Sequence, residues 1–509
     1  MQINSLETVS SSKHSNLAGS RKAPAIVTFS SDFGTPVSIF HKLMQDAESA
    51  FLFESTEGDG RLARYSFLGI DPLFTVSIKN GEAKIKDRSS ENTVAVSNPV
   101  ELLAQLLQQH AGDIDTQELS GLDLPFIGGF VGFMGYGATS YLEKIPRQDV
   151  DPFGVPDAHY GYYDAIVAFD HQYRRISVLS QRGEAHAHEL MQSTMRAGNL
   201  APLPLVPTQL TEQEMFDGVY GPFSREQFID AVKQTKEFIY EGQAFQIVLA
   251  QRFSLKSQAH PIDIYRMLQA TNPSPYAYYL KCPGFVYVGS SPETFVRCRD
   301  GQVMLRAIAG TRPRGKTREE DDHLAIELKE NEKEMAEHKM LVDLGRNDLG
   351  RISAPGTIKV GEIACLTKYT HVMHLATEIT GTLAADKTAF DAFQSCFPAG
   401  TVSGAPKVRA MQLLHGLEPE QRGVYSGSVG YFDLFGNMDG AIAIRSALIK
   451  DGVVHINAGA GIVFDSDPEM EYQETKNKAK SLIQAVKLAD NATKLAAQAG
   501  VKPEGKVQS

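Results

Sequence analysis

The chain has no tryptophan and only four cysteines, Cys282, Cys298, Cys365 and Cys396, among its 509 residues. Those cysteines are too far apart for a C-x-x-C metal or redox motif, so free, buried thiols in a reducing compartment are expected. No G-x-C-x-G nucleophile elbow occurs, and so no glutaminase site is legible in the chain. No run of about 18 apolar residues exists, which excludes a hydrophobic membrane-spanning helix. The start of the chain is polar and Ser-rich up to about Ser20, without the apolar core of a signal peptide. Positive charge is also scarce: 50 Lys and Arg stand against 61 Asp and Glu, a formal charge of −11. That balance argues against a nucleic-acid or anionic-membrane partner. Together these absences lead to the expectation of a cytoplasmic protein.

What is present is ordinary for a globular chain, with 42% hydrophobic and 22% charged residues. The length allows one large core or two to three domains. Pro202, Pro204 and Pro207 fall within seven residues and cannot sit inside a sheet or helix. They mark the expected boundary: a flexible start (1–24), an N-terminal region (25–200), a Pro-rich linker (201–222), a second region (223–490) and a frayed tail (491–509). Alternating strands run through both regions, separated by Gly turns. FIGGFVGFMGYG, Phe126 to Gly137, predicts strands whose backbones approach closely. Ser224 and Gln227 form a capping-box pattern ahead of an apolar stripe. Further strands are predicted over Val424–Asp433, Ala441–Ile449 and Val453–Val463, with a final helix over Asp467–Leu488. Helices intervene without a βαβ rhythm, so the fold class is α+β: large antiparallel sheets with helices on the outside.

The stretch LRAIAGTRPRGKT, Leu305 to Thr317, gathers three arginines and a lysine around a Gly-rich turn. Such a turn suits an anionic ligand. Gly310 to Thr317 also spells the P-loop pattern G-x-x-x-x-G-K-T. Against a nucleotide stand Glu319, Glu320, Asp321 and Asp322, which would put carboxylates at the helix N-terminus where phosphates must lie.

Ile308 to Gly315, IAGTRPRG, resembles the signature of the chorismate-utilising enzymes, in particular the anthranilate synthase component I family. Matches continue in FLFES (Phe51–Ser55) with RYSFLG (Arg64–Gly69), in EHKMLVDLGRNDLGR (Glu337–Arg351), in TKYTHVMHLATEI (Thr367–Ile379) and in FPAGTVSGAPKVRAM (Phe397–Met411). The resemblance covers nearly all of residues 25 to 490. It implies conversion of chorismate and ammonia to anthranilate and pyruvate, the first step of tryptophan biosynthesis. It implies Mg²⁺ held by Glu337 and Glu474, with Glu471 near it; by spacing alone Glu471 and Glu474 share one helix face. Chorismate contacts fall on Gly310, Thr311, Tyr425, Arg445, Gly459, Ala460 and Gly461, with Lys407 as a further cation. Catalytic roles fall on His374, Thr401 and Glu293. A tryptophan feedback site is implied at Ser55 with Pro273, Ser274 and Pro275. Ammonia would come from glutamine through a separate amidotransferase subunit.

His371 and His374 form an H-x-x-H pair, but no cysteine or third histidine lies near to complete a metal site. Two positions discriminate among relatives. Aminodeoxychorismate synthases carry a nucleophilic lysine where this chain has Ala309. Isochorismate synthases carry a water-activating lysine where it has Gln246. Aminodeoxyisochorismate synthase, which stops after amination, is the nearest alternative activity. A P-loop NTPase and a catalytically inactive tryptophan sensor are the others.

Overall fold

The computed structural model describes residues 23–55, 64–111, 114, 123–198, 200, 203, 210–369 and 372–498. Period-two alternation of apolar residues becomes two antiparallel sheets, one eleven-stranded and one twelve-stranded. The sheets face each other: Phe133 of the twelve-stranded sheet packs on Phe285 and Tyr287 of the other, with ring centroids 6.0 and 6.3 Å apart. Helices cover the outer faces. The final helix, Pro468–Gln498, and Pro261–Thr271 bury Leu482, Ile483, Val486, Tyr265 and Leu268 in one cluster on the eleven-stranded sheet. Each fully buried aliphatic side chain there contributes roughly 1.5–3 kcal/mol. The helix Glu332–Gly350 lays Leu341, Val342 and Leu349 into the core with Val303, Ala307 and Ile379 of the twelve-stranded sheet.

Both sheets run across the Pro-rich boundary. Ala50–Glu54 pairs with Tyr276–Cys282, and Gly129–Met134 pairs with Ser428–Asp433. Gly132 lies opposite Gly430, and a Cβ on it would fall 2.0 Å from the His159 carbonyl, so the expected close backbone approach is present. Within the span read as linker, Glu212–Phe216 forms a capped helix tied to the final helix by the Glu212–Lys476 ion pair at 2.9 Å. Residues 201–202 and 204–209 of that linker, most of the 1–24 start and residues 499–509 lie outside the described residues.

Three expectations are corrected. The final helix does not stop at Leu488 but continues to Gln498, because Ala489 and Ala492 extend its buried stripe. Cys365 is exposed, while Cys282, Cys298 and Cys396 are buried and all four are free. Ala441–Ile449 is not one strand. Met438–Ile442 belongs to the twelve-stranded sheet and Ser446–Lys450 to the eleven-stranded one, and the chain crosses between them at Arg445, where φ is 51°. A second crossing of the same kind separates Phe285–Ser291 from Thr294–Arg299, at Pro292 and Glu293.

Candidate active site

These two crossings are sewn together. Ile442 N donates to the Glu293 carbonyl at 3.0 Å, and Ser290 N donates to the Arg445 carbonyl at 3.0 Å. A carboxylate and a guanidinium are thereby brought to one place from strands 152 positions apart in sequence (445 − 293). Thr401, in the short turn Gly400–Val402, donates its hydroxyl to Glu293 Oε2 at 3.1 Å. Burial pushes the Glu293 carboxyl above the usual range, against the opposing pull of Thr401, Arg445 and Lys478. Tyr425 closes one side: a Cβ on Gly459 would sit 3.2 Å from its hydroxyl. A Cβ on Gly461 would sit 2.8 Å from Gln246 Nε2, so glycine at both positions keeps the strand surface open.

Carboxylates from two helices converge beyond Gln246. Gln246, 2% exposed, donates Nε2 to Glu337 Oε1 at 3.0 Å. Burial raises the Glu337 carboxyl, and the charges of Glu334 and Glu474 add to that rise. Glu471 is raised by burial as well, again with Glu474 contributing. Glu474 is the exposed member, paired with Lys478 Nζ at 2.6 Å. Lys478, one turn on, also donates to the Gly459 carbonyl at 2.9 Å. Sequence reasoning passed over this lysine, although its i,i+4 spacing from Glu474 was a usable signal. Among the described residues no three His, Cys, Asp or Glu side chains form a ready-made metal cage. The donor set nonetheless fits a hard cation: Mg²⁺ takes one or two carboxylates and completes its shell with water and substrate oxygens.

His374 lies on the strand Val372–Thr382, opposite a bulge in Gln302–Pro313. Pairing shifts between Ala309 and Thr311, and Gly310 is the extra residue, with φ at 65°. Its freed carbonyl lies 3.0 Å from His374 Nδ1, as does the Thr311 hydroxyl oxygen. A carbonyl only accepts, so Nδ1 carries the proton and Nε2 keeps its lone pair. Burial lowers the imidazole pKa and favours this neutral form. His371 lies outside the described residues.

The chain matches the family model for chorismate binding enzyme over residues 48–484. It is 39% identical over 483 residues to anthranilate synthase component 1 of Acetivibrio thermocellus, covering 92% of this chain and 95% of the relative. Against anthranilate synthase component 1 of Pseudomonas putida it is 40% identical over 482 residues, covering 93% and 97%. The crystal structure of anthranilate synthase component I from Streptococcus pneumoniae superposes with a TM-score of 0.72 at 36% identity, covering 84% of this chain and 93% of that one. The chain belongs to the chorismate binding enzymes. The menaquinone-specific isochorismate synthase of Escherichia coli shares this family's fold at 19% identity and a TM-score of 0.68, covering 91% and 95%.

Within that family frame the arginine-rich turn is not a phosphate loop. Gln302–Pro313 is one strand, so Gly310 lies inside it rather than in a loop. The turn's N–H groups are already filled: Gly315 N donates to Asp321 Oδ1 at 3.0 Å and Lys316 N to Glu320 Oε2 at 2.7 Å. Arg312 pairs with Glu327 and Glu334, and Arg314 with Asp321. Carboxylates hold the positions a nucleotide would need, which removes the P-loop NTPase reading. Lys407 is likewise engaged within the protein, donating to Asp348 Oδ2 at 2.8 Å and to the Cys396 carbonyl at 3.0 Å.

A cavity of about 770 Å³ lies apart from Glu293, Glu337 and His374, none of which lines it. Ser55 and Pro275 both line it; Pro273 and Ser274 do not, and Tyr276 and Ala277 stand there instead. The register explains this, since Ala277 is the partner of Glu54 across the two strands. Phe53, Tyr65 and Tyr431 give the cavity aromatic walls, with Arg297 among its polar groups. Ser55 Oγ is buried there without a hydrogen-bond partner. Glu54, bonded by the Tyr265 hydroxyl at 2.6 Å, is pushed by burial up to about 7.

Proposed function

We propose that this chain is the chorismate-binding subunit of an anthranilate synthase. Ammonia adds at C2 of chorismate as the 4-hydroxyl departs as water; loss of the C2 proton and cleavage of the enolpyruvyl C–O bond then give anthranilate and pyruvate. Glu293, held toward its protonated form by burial and in contact with Thr401, supplies a proton to the departing hydroxyl. His374, neutral with Nε2 free, takes the C2 proton. Arg445 and Tyr425, with the backbone of Gly459–Ala460–Gly461, receive the enolpyruvyl carboxylate; a guanidinium fork suits that role. Gly310 and Thr311 complete the substrate's surroundings. Glu337 and Glu474, with Glu471 behind them, would hold Mg²⁺, which when bound supplies positive charge to the ring carboxylate.

The observation that carries the reading is the pair Ala309 and Gln246. Neither is an amine or a base, and Gln246 is committed through its amide to Glu337. No group at either position can attack the ring or activate water, which supports a nucleophile that arrives already reactive, as ammonia. The relatives' name, component 1, supports delivery of that ammonia from glutamine by a second subunit. The cavity beside Ser55 supports feedback by tryptophan: its aromatic walls suit the indole, and Arg297 among its polar groups suits the carboxylate.

Chorismate, Mg²⁺ and ammonium at mildly alkaline pH should give anthranilate fluorescence from the purified chain. Glutamine should be inert until a glutaminase subunit is added. Isochorismate formed without ammonia would overturn the assignment, and an aminated product that never becomes fluorescent would favour aminodeoxyisochorismate synthase.

A further inference from the structure

The cavity and the Glu293 crossing share a wall. The phenol of Tyr276 donates to Asp439 Oδ1 at 3.0 Å, since a carboxylate can only accept. Its oxygen is then the acceptor for the Thr294 hydroxyl at 2.9 Å and for Arg297 Nη2 at 3.1 Å. Arg297 Nε also donates to Asp439 Oδ2 at 2.9 Å, which closes the network. Tyr276, Arg297 and Asp439 line the cavity, whereas Thr294 is buried behind them. Thr294 is covalently next to Glu293 and is the cross-strand partner of Ala441, another lining residue. Ile442, following Ala441, holds the Glu293 carbonyl.

The local backbone has room to respond. Pairing of Thr294–Arg299 with Met438–Ile442 shifts between Thr294 and Val296, leaving Phe295 without a partner across that ladder. Such an irregularity lets the residues before it turn without breaking the regular bonds after it.

We propose that Thr294 is a positioning residue. Its hydroxyl is fixed by the Tyr276 ring, and through its peptide link it sets where the Glu293 carboxylate lies against Thr401. A ligand that fills the cavity moves the ring, draws Thr294 with it and withdraws Glu293 from the 4-hydroxyl of bound chorismate, so the substrate loses a hydrogen bond as well as its proton donor. The inference rests on the feedback reading above and gives it a route.

The chain has no tryptophan of its own, so added tryptophan is the sole indole and its fluorescence anisotropy reports binding directly. In the wild type, with ammonia withheld, saturating chorismate should weaken tryptophan binding by more than about fivefold, and the effect must be reciprocal. Thr294→Val should still bind tryptophan while the coupling falls below about twofold. In turnover assays tryptophan should then raise the KM for chorismate in the wild type but not in the variant. Thr294→Ser, which restores the hydroxyl, should restore both effects. Tyr276→Phe keeps the ring and drops only its oxygen, so it should uncouple as well and guards against a misfolded valine variant. Wild-type coupling in both Thr294→Val and Tyr276→Phe would overturn the route while leaving feedback intact. Loss of tryptophan binding in Thr294→Val would make Thr294 part of the cavity itself, and would also overturn it. A wild type that binds no tryptophan would bring down the feedback reading and this inference together.

Discussion

His374 owes its behaviour to the oxygen atoms around it, and Glu54 to its burial. The Gly310 carbonyl fixes which nitrogen of His374 carries the proton, so Nε2 is the one left with a lone pair in the neutral ring. Replacing His374 with alanine should slow pyruvate elimination by about 10²–10⁴-fold and slow amination less. The aminated, non-aromatic intermediate should then accumulate and be visible by chromatography; equal slowing of both steps would assign the histidine a structural part. Glu54 behaves differently. Burial raises its carboxyl to about 7, so the neutral form predominates below that pH. The raised value favours the folded state at low pH, and that contribution is lost as pH rises from the ordinary carboxylate range through about 7. Glu54→Gln cannot ionise, so denaturant unfolding should show a flatter dependence of stability on pH across that window than in the wild type.

At the scale of single elements, bulges and crossings put functional atoms where regular strands cannot. Gly310 occupies the left-handed region, and a Cβ on it would lie 2.8 Å from Leu328 Cδ1. Gly310→Ala should therefore displace the strand against the helix Arg318–Glu330 and move the carbonyl that orients His374. We expect a stability loss of about 1–3 kcal/mol from the strained backbone alone, together with a larger loss of kcat than of tryptophan binding. Denaturant unfolding and anthranilate fluorescence separate the two. Arg422 is a second such element-level tie. It is 4% exposed and donates to Glu418, to the carbonyls of Val248 and Val402 and to Ser426. It thereby holds the strand Gln246–Lys256 to the turn that carries Thr401. Arg422→Met should cost about 3–5 kcal/mol, because Glu418 is left as a buried unpaired charge.

At the scale of the whole molecule, neither half of the chain owns a sheet. Ala50–Glu54 is the partner of Tyr276–Cys282, and Gly129–Met134 of Ser428–Asp433. Residues 211–509 expressed alone would expose both of those strand edges, an invitation to pair with other copies. This fragment should aggregate or fail to fold, whereas the intact chain should unfold in one calorimetric transition. Two separate transitions, or a soluble and chorismate-binding fragment, would show that the regions fold independently.

The sequence alone determined the α+β class, the strand and helix positions in outline, and the residue types on which the chemistry depends. Motifs such as IAGTRPRG and FPAGTVSGAPKVRAM are local, and their roles ride on side-chain identity: no fold could make a base of Gln246 or a nucleophile of Ala309. The alternation that predicts strands cannot say which sheet a strand joins, because pairing is made between residues far apart in the chain. Hence Ala441–Ile449 read as one strand, and only the tertiary structure broke it at Arg445 so that its halves serve different sheets. The same physics decided that Pro275, and not Pro273 or Ser274, meets Ser55 in the cavity. It also turned Arg312 and Arg314 from apparent anion ligands into partners of Glu327 and Asp321, since a charge is spent on whichever opposite charge the fold brings nearest.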